Sequence, residues 1–343
     1  MLDYKISIDS DRLTKLMLSS TPRSKIILQF PEGLSGKFIV ESGIKDIIDK
    51  VEENQGERTV YLTGDPCYGY CDLPITSASN LGADMIIHFG HNDFGFPTPA
   101  GPPVHFFEVD YRINLDEKIE EYAKETDWQS VGLVTTVQHL KQLEEWRNRL
   151  FVHRKELTVV IPGNGQVLGC NYSNPMQVAK QVDGFLVIAG GNFHAKQVPV
   201  MTGKPCIRLD PFTGELKLFD NTFINDYLKK RYAAIMKASK AKNVGIIISL
   251  KSGQFRKNEI NESVARYKER KVSFRTYQFP VNQVIPEILD NYSWIDAWAV
   301  DRCPRLALDD SLRFMKPVLT FSELDVIAGI KTWNDLLPSG MRP

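Results

Sequence analysis

The sequence predicts an α/β protein of three similar units, each a four-stranded parallel sheet flanked by helices, arranged around a pseudo-three-fold axis. Three observations predict it. Strongly apolar, β-branched runs recur at residues 25–30, 131–137 and 244–250, with starts 106 and 113 residues apart, intervals long enough for each run to open its own unit. An amphipathic helical stretch follows each run. Further short, nearly continuous apolar strands then alternate with helices, the pattern of parallel sheets covered on both faces by their crossover helices.

The first unit, residues 1–127, has expected strands at 25–30, 59–63, 85–89 and 104–109, and Ile44, Ile47, Ile48 and Val51 mark its helix by spacings of three and four. The second, 128–241, has strands at 131–137, 157–161, 184–188 and 206–209, with Leu143, Trp146 and Leu150 on its helix. The third, 242–343, has strands at 244–250, 272–277, 297–300 and 318–321, with Ile260, Val264 and Tyr267. Charge-rich helical stretches at 115–127 and 227–240 read as joints with solvated faces. The alternative is one large doubly wound sheet whose regular spacing is coincidental.

Composition narrows the function. Lys+Arg and Asp+Glu are both 42 in a chain of 343 residues, and a protein that binds nucleic acid by neutralising phosphates carries a basic surplus. Apolar residues at 43% and charged residues at 24% match an ordinary globular protein. Residues 1–10 lack the basic and apolar regions of a secretory signal, and no apolar run reaches the roughly 18 to 20 residues that span a bilayer. The chain reads as cytoplasmic, with neither nucleic acid nor membrane as partner. In that reducing compartment its five cysteines remain free thiols.

Ligands of parallel α/β sheets gather beyond the carboxyl ends of the strands, and one cysteine per unit falls there. Cys67 lies in Gly64-Asp65-Pro66-Cys67-Tyr68-Gly69, Cys170 in Leu168-Gly169-Cys170, and Cys303 in Asp301-Arg302-Cys303-Pro304-Arg305. If those strand ends face inward, three thiolates converge, a donor set suited to a 4Fe-4S cluster with one iron left open for a small molecule. Their separations of 103 and 133 residues form no local motif, and three buried small hydrophobes are the alternative. Cys71 makes neither a C-x-x-C pair nor a radical-enzyme loop with Cys67 and reads as a supporting or packed thiol. Cys206, inside an apolar strand, reads as a packing residue.

Those three segments, together with Gln29-Phe30-Pro31-Glu32-Gly33-Leu34, Thr135-Thr136-Val137-Gln138-His139, Gly190-Gly191-Asn192-Phe193-His194 and Ser249-Leu250-Lys251-Ser252-Gly253-Gln254, resemble the archaeal 2-(3-amino-3-carboxypropyl)histidine synthase family, which performs the first step of diphthamide synthesis. The resemblance spans essentially the whole chain. It implies a homodimer of three-domain subunits, each binding a 4Fe-4S cluster through Cys67, Cys170 and Cys303. The implied reaction is a radical transfer of the 3-amino-3-carboxypropyl group of S-adenosylmethionine to a histidine of elongation factor 2, with methylthioadenosine released and an external electron donor required.

Within that reading, Arg302 and Arg305 beside Cys303 suit the methionyl carboxylate, which guanidinium grips in a fixed fork; ion pairs with Asp301 or Asp309 are the alternative. Ser249 and Gln254, after the first strand of the third unit, suit hydrogen bonding to a polar ligand. No catalytic residue is assigned beyond the cluster. His139 and His194 read as hydrogen-bonded structural residues, and the Gly- and Pro-rich loop at 90–103 as a lid, a docking surface or a rigid connector. Two rival functions remain: a quinolinate synthase-like 4Fe-4S dehydratase, which resembles three α/β repeats with a three-cysteine cluster, and a non-enzymatic ligand-binding or scaffold protein.

Overall fold

A computed structural model describes residues 3–31, 34, 36–54, 56–93, 100–301 and 303–337. In chain order the strands are β1 (Tyr4–Ser7), β2 (Lys25–Gln29), β3 (Thr59–Leu62), β4 (Met85–Phe89), β5 (Val104–Phe107), β6 (Asp110–Ile113), β7 (Ser130–Thr135), β8 (Thr158–Val160), β9 (Gly184–Ile188), β10 (Cys206–Leu209), β11 (Leu216–Phe219), β12 (Asn243–Ser249), β13 (Arg275–Val281), β14 (Ala297–Val300) and β15 (Val318–Thr320). They form three large sheets, ordered β3-β2-β4-β5, β8-β7-β9-β10-β11 and β13-β12-β14-β15, and a two-stranded ribbon of β1 and β6. One order, second-first-third-fourth, is thus used three times, which excludes a single large sheet.

Both faces of each large sheet carry a buried apolar cluster, as continuous apolar runs require. In β2, Ile26 and Leu28 enter one apolar cluster and Ile27 the opposite one. Leu186 and Ile188 of β9 likewise face away from Phe185 and Val187, and Ala297 and Ala299 of β14 away from Trp298 and Val300. The helices Ile44–Glu53, Leu143–His153 and Lys257–Glu269 each bury the apolar stripe expected of them. Close packing sets one further sequence choice: a Cβ on Gly132 of β7 would meet the Phe185 ring at 2.5 Å, and one on Gly245 of β12 the Trp298 ring at 2.1 Å.

The two charge-rich joints are helices, Asp116–Glu125 and Asn221–Ala238, but packed ones. Ile119, Tyr122 and Ala123 enter the core of the second sheet, and Ile235 and Ala238 that of the third, just as Leu13 and Met17 of the helix Ser10–Ser19 enter that of the first. Each unit's core therefore begins before its first strand. In the third joint, buried Arg231 reaches Glu323 at 2.7 and 2.6 Å and donates to the carbonyls of Ala307 and Val318.

Two strand pairings escaped the sequence. β1 pairs antiparallel with β6, and β11 adds an antiparallel edge to β10; both strands of the first pair are half-exposed, so neither shows an apolar run. The strand expected at 272–277 runs instead over Arg275–Val281, because all seven residues of β12 pair with it. Among the described residues no helix is long and apolar enough to cross a membrane.

Candidate metal centre

In the first unit the chain leaves β3 and turns back through a tight loop. Asp72 N–H donates to the Gly69 carbonyl at 2.9 Å, and the Asp72 carboxylate accepts from Tyr68 N–H at 3.3 Å. This turn sends the two cysteines of the loop in different directions. Cys67 points inward, 3% exposed, its thiol donating to the Gly69 carbonyl at 3.7 Å and pushed up to about 12 chiefly by burial. Cys71 points toward the third unit, where the loop after β12 clamps it. Gly253 N–H donates to the Cys71 carbonyl at 2.9 Å, Gln254 Nε2 to Cys71 Sγ at 3.2 Å, and Leu73 N–H to Ser252 Oγ at 2.9 Å. Lys251 Nζ pairs with Asp72 at 2.6 Å.

In the second unit the loop after β8 is pinned to β7 through Thr135 and Gln166 and closes in a small hairpin, Leu168 and Asn171 exchanging backbone hydrogen bonds at 3.1 and 3.2 Å. Cys170 sits at its tip, exposed. Gly169 N–H donates to His194 Nδ1 at 3.0 Å, the Gly169 carbonyl accepts from the Tyr172 hydroxyl, and a Cβ at Gly169 would strike the Phe193 ring at 2.1 Å. In the third unit Cys303 precedes the helix Pro304–Leu308. Its thiol is raised by burial and by the neighbouring Cys71, and lowered by the backbone amides of Arg305 and Leu306.

The charges of these thiols interact across the units. Cys170 is pushed up to about 12 by desolvation, with Cys71 and Cys303 adding to it. Cys170 is exposed over the residue as a whole, yet desolvation is still the first cause of the raised thiol. Cys170 thus feels the charges of Cys71 and Cys303, and the first-unit thiol that acts on both Cys170 and Cys303 is Cys71. Cys67, expected there, lies instead against His88 and His91, all three donor atoms within 4.8 Å of one another. A loop of known spacing does not reveal which of two nearby cysteines its turn aims outward. Cys206 is fully buried in the core around Val187 and Phe219, the packing role expected of it.

The polar residues named from sequence divide similarly. Gln254 is at the centre, bound to Cys71. Ser249 accepts from Lys251 N–H in its own turn at 3.3 Å. Arg305 pairs with Asp310 at 3.3 Å and lies over the Phe193 ring at 5.3 Å, and Arg302 lies outside the described residues. Of the loop at 90–103, residues 94–99 lie outside them too; Asn92 exchanges amide hydrogen bonds with Gln166 at 2.8 and 3.0 Å. His139 is buried against Tyr111. His194 is held neutral, lowered to about 4 by desolvation and then by His91 and Arg305, so groups from all three units meet here as well.

Two features had no sequence expectation. Arg256 affects both Tyr70 and Asp301, the latter raised to about 6 by burial. Beside it a cleft of about 770 Å³ opens between the first and third units, lined among others by Tyr68, Asp72, Lys251, Ser252, Phe255 and Arg256. The other is the pair His88 and His91, legible afterwards as a His-x-x-His spacing.

The profile of the family described as "Putative diphthamide synthesis protein" matches residues 30–338. The chain belongs to that family. Among the relatives of this chain, the 2-(3-amino-3-carboxypropyl)histidine synthase of Pyrococcus horikoshii is 32% identical over 315 residues, covering 90% of this chain and 86% of the relative. The Methanocaldococcus jannaschii enzyme of the same name is 28% identical, covering 87% and 83%. The crystal structure of Dph2 from Pyrococcus horikoshii with a 4Fe-4S cluster matches with a TM-score of 0.79 at 30% identity, covering 97% of this chain and 93% of that one.

Proposed function

We propose that the chain is a 2-(3-amino-3-carboxypropyl)histidine synthase, transferring the 3-amino-3-carboxypropyl group of S-adenosylmethionine to a histidine of elongation factor 2 by a radical route and releasing methylthioadenosine. The observation that carries this is the mutual electrostatic influence of Cys71, Cys170 and Cys303, one from a loop of each unit, in a member of this family. We take these three as the ligands of a 4Fe-4S cluster, Cys71 standing where Cys67 was expected. Three soft sulfur donors fit such a cluster and leave one iron open. When bound, the cluster supplies one electron to the sulfonium of S-adenosylmethionine.

The chain's own residues bind, orient and shield. Gly253 and Gln254 hold Cys71 in place. The cleft of about 770 Å³ has the size of small-molecule sites and receives S-adenosylmethionine in this reading. Arg256, on its wall, offers the methionyl carboxylate a forked donor, since Arg305 is engaged by Asp310. Phe255 and Tyr68 line the same wall and exclude water from the adenosyl group. A pseudo-three-fold arrangement of the units, a homodimer, an external electron donor and a cytoplasmic setting belong to the same reading, with no nucleic acid or membrane partner. Family membership favours it over a quinolinate synthase-like dehydratase or a scaffold.

The test is a single turnover of the anaerobic protein with dithionite, S-adenosylmethionine and elongation factor 2, followed by chromatography of the nucleosides. Methylthioadenosine in step with labelling of the target histidine is expected. Predominant 5′-deoxyadenosine, or equal transfer by cluster-free protein, overturns it.

A further inference from the structure

We propose that Cys67, His88 and His91 form a second metal site, for one divalent cation of the zinc class, adjacent to the three thiols assigned above to the cluster. It rests on Cys71, not Cys67, belonging to that cluster. The three donor atoms lie within 4.8 Å of one another. They come from two segments of the first unit, the loop after β3 and the end of β4, separated by the helix Ile75–Leu81. Cys67 and His88 are buried, and His91 is half-buried.

The hydrogen bonding already orients the imidazoles as a metal site requires. Gln29 Nε2 donates to the Asp72 carbonyl at 2.7 Å, which turns Gln29 Oε1 toward His88 Nδ1 at 2.6 Å. An amide oxygen only accepts, so His88 carries its proton on Nδ1 and presents a lone pair on Nε2. An outer partner that fixes the tautomer of a ligating histidine is a regular part of metal sites. His88 Nε2 faces His91 Nδ1 at 2.8 Å, so these two nitrogens share one proton.

A tetrahedral ion with bonds of about 2.0 Å to nitrogen and 2.3 Å to sulfur holds its nitrogens about 3.3 Å apart and its sulfur about 3.5 Å from each. To admit it the rings separate by about half an ångström and the Cys67 sulfur closes to about 3.5 Å from each nitrogen. On binding, the proton shared by the rings moves to His91 Nε2 and the thiol proton leaves to solvent, so one proton is released per ion. The ion would clamp the loop that carries Cys71 to the end of β4. The fourth position is left to water or a small ligand, and no electron is transferred.

The protein purified anaerobically with its cluster is equilibrated with zinc, desalted and assayed for zinc, iron and sulfide, alongside Cys67→Ser and His91→Gln. One zinc per chain is expected, with one sulfur at about 2.3 Å in zinc-edge absorption spectra. Each variant should weaken zinc binding at least tenfold and leave iron and sulfide at the parent level, with unchanged far-UV spectra. Zinc absent from the parent protein, or held equally by both variants, overturns the site. Loss of iron from Cys67→Ser while His91→Gln keeps iron and zinc overturns it too, and returns Cys67 to the cluster. If Cys67→Ser fails to fold, His91→Gln decides.

Discussion

A Cβ placed on Gly253 would come within 2.5 Å of the Cα of Cys71. These two residues, from loops of the first and third units, touch backbone to backbone and share a hydrogen bond at 2.9 Å. No side chain fits between them, so the glycine fixes how closely the third unit approaches the cysteine loop of the first. Gly253→Ala should therefore displace Cys71 and lose most of the bound iron while the three sheets remain folded. Iron per chain and the far-UV spectrum, read together, check this; iron at the parent level would show that the loop yields freely.

Replacing any of Cys71, Cys170 or Cys303 by Ala should remove most of the iron and acid-labile sulfide, because in the proposed centre each would supply one of only three protein ligands. Cys206→Ala should keep both, at a cost in stability of about 1 to 2 kcal/mol for the cavity left in the core. Anaerobic absorption spectra with iron analysis distinguish the sets. Full iron in Cys71→Ala would return the ligand role to Cys67.

Arg256 and Arg305 make opposite predictions about S-adenosylmethionine. A charge-assisted hydrogen bond contributes about 1.5 to 3 kcal/mol, so Arg256→Ala should raise the KM for S-adenosylmethionine roughly 10- to 100-fold with the cluster spectrum unchanged. Arg305→Ala removes an ion pair with Asp310 and should leave that KM within a few-fold. The reverse pattern would move the carboxylate anchor to the Cys303 helix.

His139 sets a pH dependence of stability away from the thiols. It is 2% exposed, and burial lowers its pKa from 6.5 to about 4. The folded state thus binds this proton less readily than the unfolded chain. The stabilising contribution is complete above pH 6.5 and is lost as pH falls toward 4, up to about 3 kcal/mol in all. Urea titrations of the cluster-free protein at pH 7.5 and 4.5 should show the loss, and His139→Gln should shrink the difference. An unchanged difference in the variant would assign the acid sensitivity to other groups.

The repeated layout was open to sequence reading because a strand buried on both faces must be apolar throughout. The stretches headed by Lys25, Ser130 and Asn243 announce themselves for that reason, as does the helix carrying Leu143, Trp146 and Leu150. The placement of Cys170 and Cys303 in loops after strands was legible too, since a parallel sheet carries its ligand loops at those ends. Which way Cys67 and Cys71 point is a matter of tertiary structure. They lie four residues apart in one loop, and which of them faces the other units depends on the Gly69–Asp72 turn and on contacts from Gly253 and Gln254. The same holds for Arg256, whose place beside Asp301 and Tyr70 follows from how the loops of the first and third units meet. Patterns of burial are local and repeat along the chain; the direction of a loop side chain is set by partners nearly two hundred residues away, such as Gln254 for Cys71, and no local pattern records it.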